Sequence, residues 1–527
     1  MGHGRTMRAV VAVAIASCVL AACGDDGEPE SASPTGDSTC TEGRVGGEVT
    51  MGSLSQVTGL DPVVNLGLGG TGANEVIALY DTLVRYDPET DEFVPVVAES
   101  LKPDEDFAEW TLKLREGVTF GNGDALTAEQ VRDSFARHQD PANRSAAHRE
   151  SLAVTEMEIV DPLTLVFHLD EPWSRFPTLL ADLPGMVTNG SVVERQGENF
   201  NTAPTGGGVG PYEVQTFTPG EKLVLKAKDD WWGGPVCIRT LRFVVITGSQ
   251  ATYDAFKNDD IQLAFLRAPD VIAQAEDDGV QGLSTIDNAG STIILNTAEG
   301  PAADPLVRRA LAAAMDPEVI NQRAYGGAGL PGTALINEQS ILYDGLAGPE
   351  PDADRAADLV ERAKAAGWDG RLKMPCQNSP EGNNVCLAMK AMAEAAGMSV
   401  TIEQMAPQDF ISTVLVDRSF DIASWSMPLS EAEPAVRLSA AVGTGGGLNP
   451  GGYSNAEMDA ALAALRAAPD AADRRQALAG IQEIWNETLP SLVIAANENF
   501  IAISDAVKGV RLSQNSQIYF DSAYVDD

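Results

Sequence analysis

The chain is 527 residues long and poor in basic side chains, aromatic rings, histidine and cysteine. Lys and Arg number 36 against 76 Asp and Glu, a formal charge of −40, which excludes recognition of nucleic acid through a broad basic face. Aromatic residues make up only 6%, yet 44% of the chain is hydrophobic and 21% charged. That composition is globular and excludes disorder over most of the length. A chain of this size buries roughly 75% of its unfolded surface, so its core requires neither a metal nor a dense disulfide framework. The length suggests three structural units, or two with one of them split. Among four histidines none forms an H-x-x-x-H pair: His3 is near the N-terminus, His138 and His148 are ten apart, and His168 falls in a predicted strand. The G-x-S-x-G elbow of serine hydrolases is missing, and carboxylate pairs are too common at this acidity to signal glycosidase chemistry. With no catalytic constellation, no metal-ligand set and no cofactor motif, the residues favour binding over catalysis.

The one apolar run, Ala9–Leu20, is too short to span a bilayer. Preceded by Arg5 and Arg8, it reads as a secretory signal peptide over residues 1–22. Leu20-Ala-Ala-Cys23 resembles the bacterial lipobox, which implies cleavage before Cys23 and acylation of its sulfur. Two or three acyl chains hold a protein firmly at a membrane, where one holds it marginally. The acidic, Ser/Pro/Gly-rich stretch that follows, 23–44, reads as a flexible tether. Four cysteines then remain: Cys40, Cys237, Cys376 and Cys386. An even remainder in an oxidising compartment suggests two disulfides. Cys376–Cys386 closes a short loop between a strand end and a helix start, and Cys40–Cys237 follows by elimination. Zinc is the competing reading, but no Cys-x-x-Cys or His pair supports it.

Glu48–Leu54, Trp110–Leu114, Leu163–Leu169, Tyr212–Phe217 and Lys222–Lys226 alternate like strands, and Leu241–Ile246 reads as a strand buried on both faces. Thr127-x-x-Gln130 forms a capping box that opens a helix. After about residue 290, strands alternate with Ala-rich helices. Thr292–Leu295 is a strand, Asp304-Pro305 caps a helix, 372–404 reads as a βαβ unit, and Ser454-x-x-Glu457 as a second capping box. Leu492–Ala496 and Phe500–Ile503 return to strand. Two glycine clusters carry no nucleotide chemistry. Gly67-x-Gly69-x-x-Gly72 follows a loop rather than a strand, and Gly206-Gly-Gly-Val-Gly210 lacks the Lys-Ser/Thr of a P-loop. The fold class is α/β, with at least two lobes.

Four blocks of residues then resemble the bacterial extracellular solute-binding proteins of family 5, the oligopeptide-, dipeptide- and nickel-binding receptors of ABC importers. The first runs from Val94-Pro-Val-Val-Ala-Glu-Ser100 through Trp110-Thr-Leu-Lys-Leu-Arg-Glu-Gly-Val-Thr-Phe120 to Leu126-Thr-Ala-Glu-Gln-Val131. The second is Gly210-Pro-Tyr-Glu-Val214 with Phe217-Thr-Pro-Gly-Glu221 and Trp231-Trp-Gly233. The third joins Leu295-Asn296 to Val307-Arg-Arg-Ala-Leu311 and Met315-Asp316; the fourth joins Phe420-Asp-Ile-Ala423 to Gly452-Tyr-Ser-Asn455. They span about 45–520, nearly the whole mature chain.

The resemblance implies a two-lobed periplasmic-binding-protein-like clamshell with an extra subdomain, its discontinuous lobes joined by crossing hinge segments. Lobe I takes 45–287 and 494–527, with a subdomain at about 76–204; lobe II takes 288–493. It implies a monomeric receptor on the extracellular face of the membrane, or in the periplasmic space, that passes a peptide-like solute to a permease and its ATPases. In peptide-binding relatives the segment after the F-D-I-A strand carries an Arg, a Trp and an Asp, the Asp pairing with the peptide ammonium group. Here Ser424, Met427 and Ser430 occupy those positions. Glu431 or Glu433 is the replacement candidate for the ammonium, Trp425 for an apolar wall, and Asn65 completes the candidate set. The missing ammonium anchor keeps a non-peptide solute, such as an oligosaccharide, as an alternative. A secreted hydrolase is a second class, and a sensor or chaperone without transport a third.

Overall fold

The computed structural model describes Cys40 and residues 44–526 except 56, 58 and 68, all within one compact unit. The signal segment, Cys23 and most of the tether lie outside the described residues. A nine-stranded sheet forms the spine. Eight of its strands are β1 (Glu48–Ser53), β2 (Tyr212–Thr218), β3 (Lys222–Ala227), β4 (Thr240–Val245), β5 (Leu263–Leu266), β6 (Gly282–Leu295), β7 (Ile422–Trp425) and β8 (Ser491–Ile503). They lie in the order β7-β6-β8-β5-β1-β4-β3-β2, and Leu330–Pro331 adds a short ninth strand on β8. β1 pairs in parallel with β4 and β5; the other neighbours are antiparallel.

The helices that bear on the site are α1 (Ala73–Tyr80), α2 (Ala128–Gln139), α3 (His148–Ser151) and α4 (Pro434–Val442). Thr127 caps α2 through the expected reciprocal box with Gln130. Gly72 begins α1 at φ +113, where a Cβ would sit 2.7 Å from Val57 Cγ2, so the glycine cluster serves a tight helix entry. In the second cluster, a Cβ on Gly208 would lie 2.3 Å from the Leu79 carbonyl oxygen. That run is the place where the chain crosses the end of α1.

Separate apolar cores surround this spine. Met51, Tyr80, Leu225 and Phe243 anchor one; Phe135, Phe167, Trp173 and Phe176 another; Ile293, Leu311, Val360 and Met374 a third; Leu438, Met458 and Trp485 a fourth. The second belongs to a four-stranded antiparallel sheet, within which Glu109–Leu114 pairs with Thr164–Leu169. The third covers a βαβ unit whose strands Arg371–Gln377 and Ser399–Met405 run parallel. Cys40 is bonded to Cys237, and Cys376 to Cys386 inside the helix Pro380–Ala395.

Three local expectations are corrected. β4 is not buried on both faces: Leu241 and Phe243 are buried, while Arg242 turns outward and donates through Nε to Glu48 at 2.9 Å. The second capping box does not form. Asn455 caps the helix, its Oδ1 accepting from the backbone N–H groups of Glu457 and Met458, and Ser454 bonds Thr444 instead. The two predicted strands 492–496 and 500–503 are one strand, β8, because Asn497, Glu498 and Asn499 pair directly with Asp287, Ile286 and Thr285 of β6. Polar residues continue the ladder there because their side chains also bond across it: Ser284 to Glu498 at 2.6 Å, Ser291 to Asn497 at 3.0 Å, and Asn499 to Asp287 at 3.1 Å.

Candidate functional site

A cavity of about 470 Å³ opens where the long strands β6 and β8 meet the rest of the fold, within the range of sites for small organic ligands. Asp287 of β6 and Asn499 of β8 contribute to its lining. Leu54 and Gly69 to Thr71 come from the chain after β1, Phe265 from β5 and Arg267 from just past it; Glu150 comes from α3, and Trp173 and Asp182 from the chain between α3 and β2. Ser430, Glu433 and Arg437 come from α4 and the loop before it. Glu433 caps α4, accepting from the Ala435 N–H at 2.8 Å, with Pro434 at the first helical position. Arg437 follows four residues later, on the same helix face.

Carboxylates outnumber guanidinium groups in this lining, four to two. Burial raises the pKa of all four carboxyls: Glu150, Asp287 and Glu433 are pushed upward, and Asp182 to about 7. Asp182 accepts from Gln517 and Asn515, each at 3.0 Å. Glu150 Oε2 is buried with no hydrogen-bond partner, and so is Arg437 Nε. Burial also lowers the pKa of Arg437, against the opposing fields of Glu150 and Asp287. The walls between these groups are apolar, from Leu66, Leu179, Leu183, Phe265 and Val436. Such a site discriminates by charge placement inside a greasy enclosure.

A belt of polar contacts borders the cavity. Trp173 Nε1 donates to Glu433 Oε2 at 2.9 Å, Ser174 Oγ to the Ala468 carbonyl at 2.6 Å, and Arg175 Nε to the Ala432 carbonyl at 2.8 Å. Asp91 receives both Arg175, at 2.9 Å, and Arg474.

The sequence candidates separate under this geometry. Ser430 and Glu433 line the cavity. Glu431 lies beside it and accepts from the Ile341 N–H at 3.2 Å. Trp425 packs on Phe410, with ring centroids 5.8 Å apart, and Met427 is buried in the core around Leu438 and Trp485. Both border a smaller cavity of about 30 Å³. Ser424 sits opposite Ile293 in the β6–β7 ladder. Asn65 is buried and holds its own loop, donating to the Gly72 carbonyl at 3.2 Å and accepting from the Gly67 N–H at 3.1 Å. Glu150, Asp182, Asp287 and Arg437 escaped the sequence reading, because they come from four distant segments with no shared motif. The one available signal was Glu433-Pro434 as a helix start, which places Arg437 one turn on. His138, the most buried histidine, bonds Ser145 at 2.7 Å in the interior, a packing role.

Residues 92–449 match the family of bacterial extracellular solute-binding proteins, family 5 (middle region). Protein XP55 of Streptomyces lividans is 28% identical over 419 residues, 76% of this chain and 74% of that protein. Di/tripeptide-binding protein 2 of Pseudomonas aeruginosa is 25% identical over 480 residues, 85% and 89% of the two chains. Among solved structures, the binding protein AgaA of A. tumefaciens R10, in complex with agropinic acid, superposes with a TM-score of 0.74 at 21% identity, covering 91% of this chain and 99% of that one. Structural neighbours of this type are two-lobed periplasmic binding proteins. Among the described residues no helix is long and apolar enough to cross a membrane. With the family match spanning most of the chain and the fold agreeing with it, the chain belongs to the bacterial extracellular solute-binding proteins of family 5, a family of ABC-importer receptors and not of enzymes.

Proposed function

We propose that this protein is a lipid-anchored, monomeric receptor that captures a peptide-like solute in the 470 Å³ cavity and delivers it, unaltered, to a membrane permease. The observation that carries this reading is the composition of the cavity wall: residues 54–71, 146–184 and 265–267 face residues 428–437, with β6 and β8 between them. In this reading lobe I is 45–287 with 494–527, its subdomain is about 76–204, and lobe II is 288–493. The register shifts between Asp287 and Ser291 in β6 then supply the hinge. A solute touching both lobes stabilises the closed arrangement, which the permease reads. Acyl chains on Cys23, followed by the acidic tether, hold the receptor at the outer face of the membrane.

Native mass spectrometry of the full chain from its producing cells tests the reading. A co-purifying small solute that is released chemically intact is expected. Turnover of peptides or esters would overturn it in favour of a hydrolase. Replacing Cys23 with Ala is expected to release the protein into the soluble fraction and to abolish labelling by a palmitate analogue; persistent membrane association would reject the anchor. A non-peptide solute is favoured by one observation, the placement of Ser430 in the cavity wall where peptide-binding relatives carry the Asp for the ammonium group.

A further inference from the structure

A glycine-rich turn, Gly443-Thr-Gly-Gly-Gly447, follows α4. Most of its glycines serve the turn itself. Gly445 stands at φ +74, and a Cβ on Gly443 or Gly446 would lie 2.5 Å from the Ser439 carbonyl oxygen or 2.4 Å from that of Ala440. The turn folds back on the helix, and the Leu448 N–H donates to the Ala440 carbonyl at 2.9 Å. Gly447 is different. Its φ lies outside the left-handed region, and the three atoms nearest to a Cβ placed there all belong to Arg149, with Nη1 and Nη2 each at 2.2 Å. The backbone at 447 accepts any residue. What the missing side chain makes room for is a guanidinium from a distant part of the chain.

Arg149 projects from α3, which is held firmly to α2: Gln139 Nε2 donates to the Ser151 carbonyl at 2.9 Å, and His148 Nδ1 lies 3.1 Å from the His138 carbonyl oxygen. Its neighbours Ala147 and Glu150 line the large cavity, as do Val436 and Arg437 of α4, while Arg149 itself stays outside the lining. The opposite end of α4 is held by Trp173, which donates to Glu433, and by Arg175, which donates to the Ala432 carbonyl. The segments 148–151 and 173–175 therefore meet both ends of the one helix. The last turn of α4 carries no basic side chain, and the carbonyl end of a helix favours a cation. Arg149 supplies one from outside the helix.

We propose that Arg149 is a closure clamp: its guanidinium seats on Gly447 when the lobes close, locking the carbonyl end of α4 while the Trp173–Glu433 bond holds the other end. This rests on the receptor reading above and its lobe assignment, in which Arg149 belongs to the subdomain of lobe I and Gly447 to lobe II. Arg149 is a positioning residue. It acts on the solute through the helix that carries Arg437 over the cavity. The seat is made only in the closed arrangement, so it slows release and leaves capture unchanged. Both residues are exposed at the rim of the cleft, which keeps the contact weak. A methyl group at 447 displaces the free end of a long side chain and leaves the turn intact.

The test uses the full chain and a pool of dipeptides and tripeptides, with binding kinetics followed by stopped-flow tryptophan fluorescence. R149A and G447A are each expected to raise the dissociation rate about two- to fivefold, with association rate and thermal midpoint unchanged. The double variant R149A/G447A is expected to release peptide no faster than either single variant, because both remove the same contact. R149K, which keeps the charge and loses the fork, recovers part of the loss. Without solute, both single variants are expected to show a larger radius of gyration by small-angle scattering, and saturating peptide returns them to the wild-type value. Wild-type dissociation rates in both single variants, or penalties that multiply in the double variant, would overturn the clamp and leave the receptor reading standing. A defect in G447A with none in R149A would overturn it too, since the glycine would then serve its own turn. If no peptide binds the wild type, the peptide reading fails and the solute-free scattering decides the clamp: an unchanged radius in both single variants overturns it.

Discussion

Glu75 lies in α1 with its side chain buried, Oε1 accepting from Ser53 Oγ at 3.3 Å and Oε2 unpartnered. Burial outweighs these bonds and pushes its carboxyl up to about 7. The sign of the consequence follows from proton binding. Below the ordinary carboxyl range both folded and unfolded chains hold the proton, so pH has no effect through this group. Between there and about pH 7 only the folded chain holds it, so stability falls as pH rises. The full loss, reached above pH 7, is roughly 3 kcal/mol. Asp182, pushed up to about 7 by its own burial, contributes with the same sign. Glu75→Gln is therefore expected to leave stability at pH 4 nearly unchanged and to raise it at pH 8, flattening the profile without abolishing it. Calorimetric unfolding at both values checks this, and a slope equal to the wild type would refute it.

At the scale of elements, the Cys376–Cys386 bridge ties the strand Arg371–Gln377 to the second turn of Pro380–Ala395. Both cysteines are buried in the core that covers the βαβ unit. Closing a loop of this length restricts the unfolded chain by about 2–3 kcal/mol. The double Cys→Ala variant is expected to lose that much in a denaturant titration, and the wild type to lose more under reductant, because Cys40–Cys237 opens as well. No shift in either would show that the native geometry offsets the loop term. Elements were legible in the sequence where the signal is local. The Thr127–Gln130 box, Asp304-Pro305 and the βαβ periods all depend on residues within one turn or one strand. They failed where a partner strand decides. Asn497-Glu498-Asn499 has low strand propensity, and only its pairing with β6 makes β8 continuous. Of the residues that line the cavity, only Ser430 and Glu433 were among the site candidates singled out in the sequence. Its other charged groups are assembled by tertiary contacts between residues scattered from Glu150 to Arg437, which no spacing in one sequence encodes.

For the whole molecule, the decisive feature is the belt that joins 91 and 173–175 to 432–433, 466–468 and 474. In the proposed lobe assignment each of these contacts except Arg175–Asp91, which lies within the subdomain, crosses from the subdomain of lobe I to lobe II, so the belt stabilises closure independently of any solute. It thereby reduces the differential affinity a solute must supply to populate the closed state. Asp91 is its centre: it takes Arg175 at 2.9 Å and Arg474, and its side chain is only 15% exposed. Removing one partner from a buried pair leaves uncompensated charge, here two arginines, at a cost of about 3–5 kcal/mol. D91N is expected to shift the solute-free protein toward the open form, seen as a larger radius of gyration by small-angle scattering, and to weaken solute binding. Trp173→Phe, which removes the donor to Glu433 together with some buried ring volume and part of the surface under the Arg466 guanidinium, is expected to do the same to a smaller extent while the fold stays intact by circular dichroism. Excess solute restores the compact scattering profile in both variants, because it binds the closed state. If both variants scatter like the wild type and bind with unchanged affinity, closure depends on the solute alone and the belt is mere surface packing.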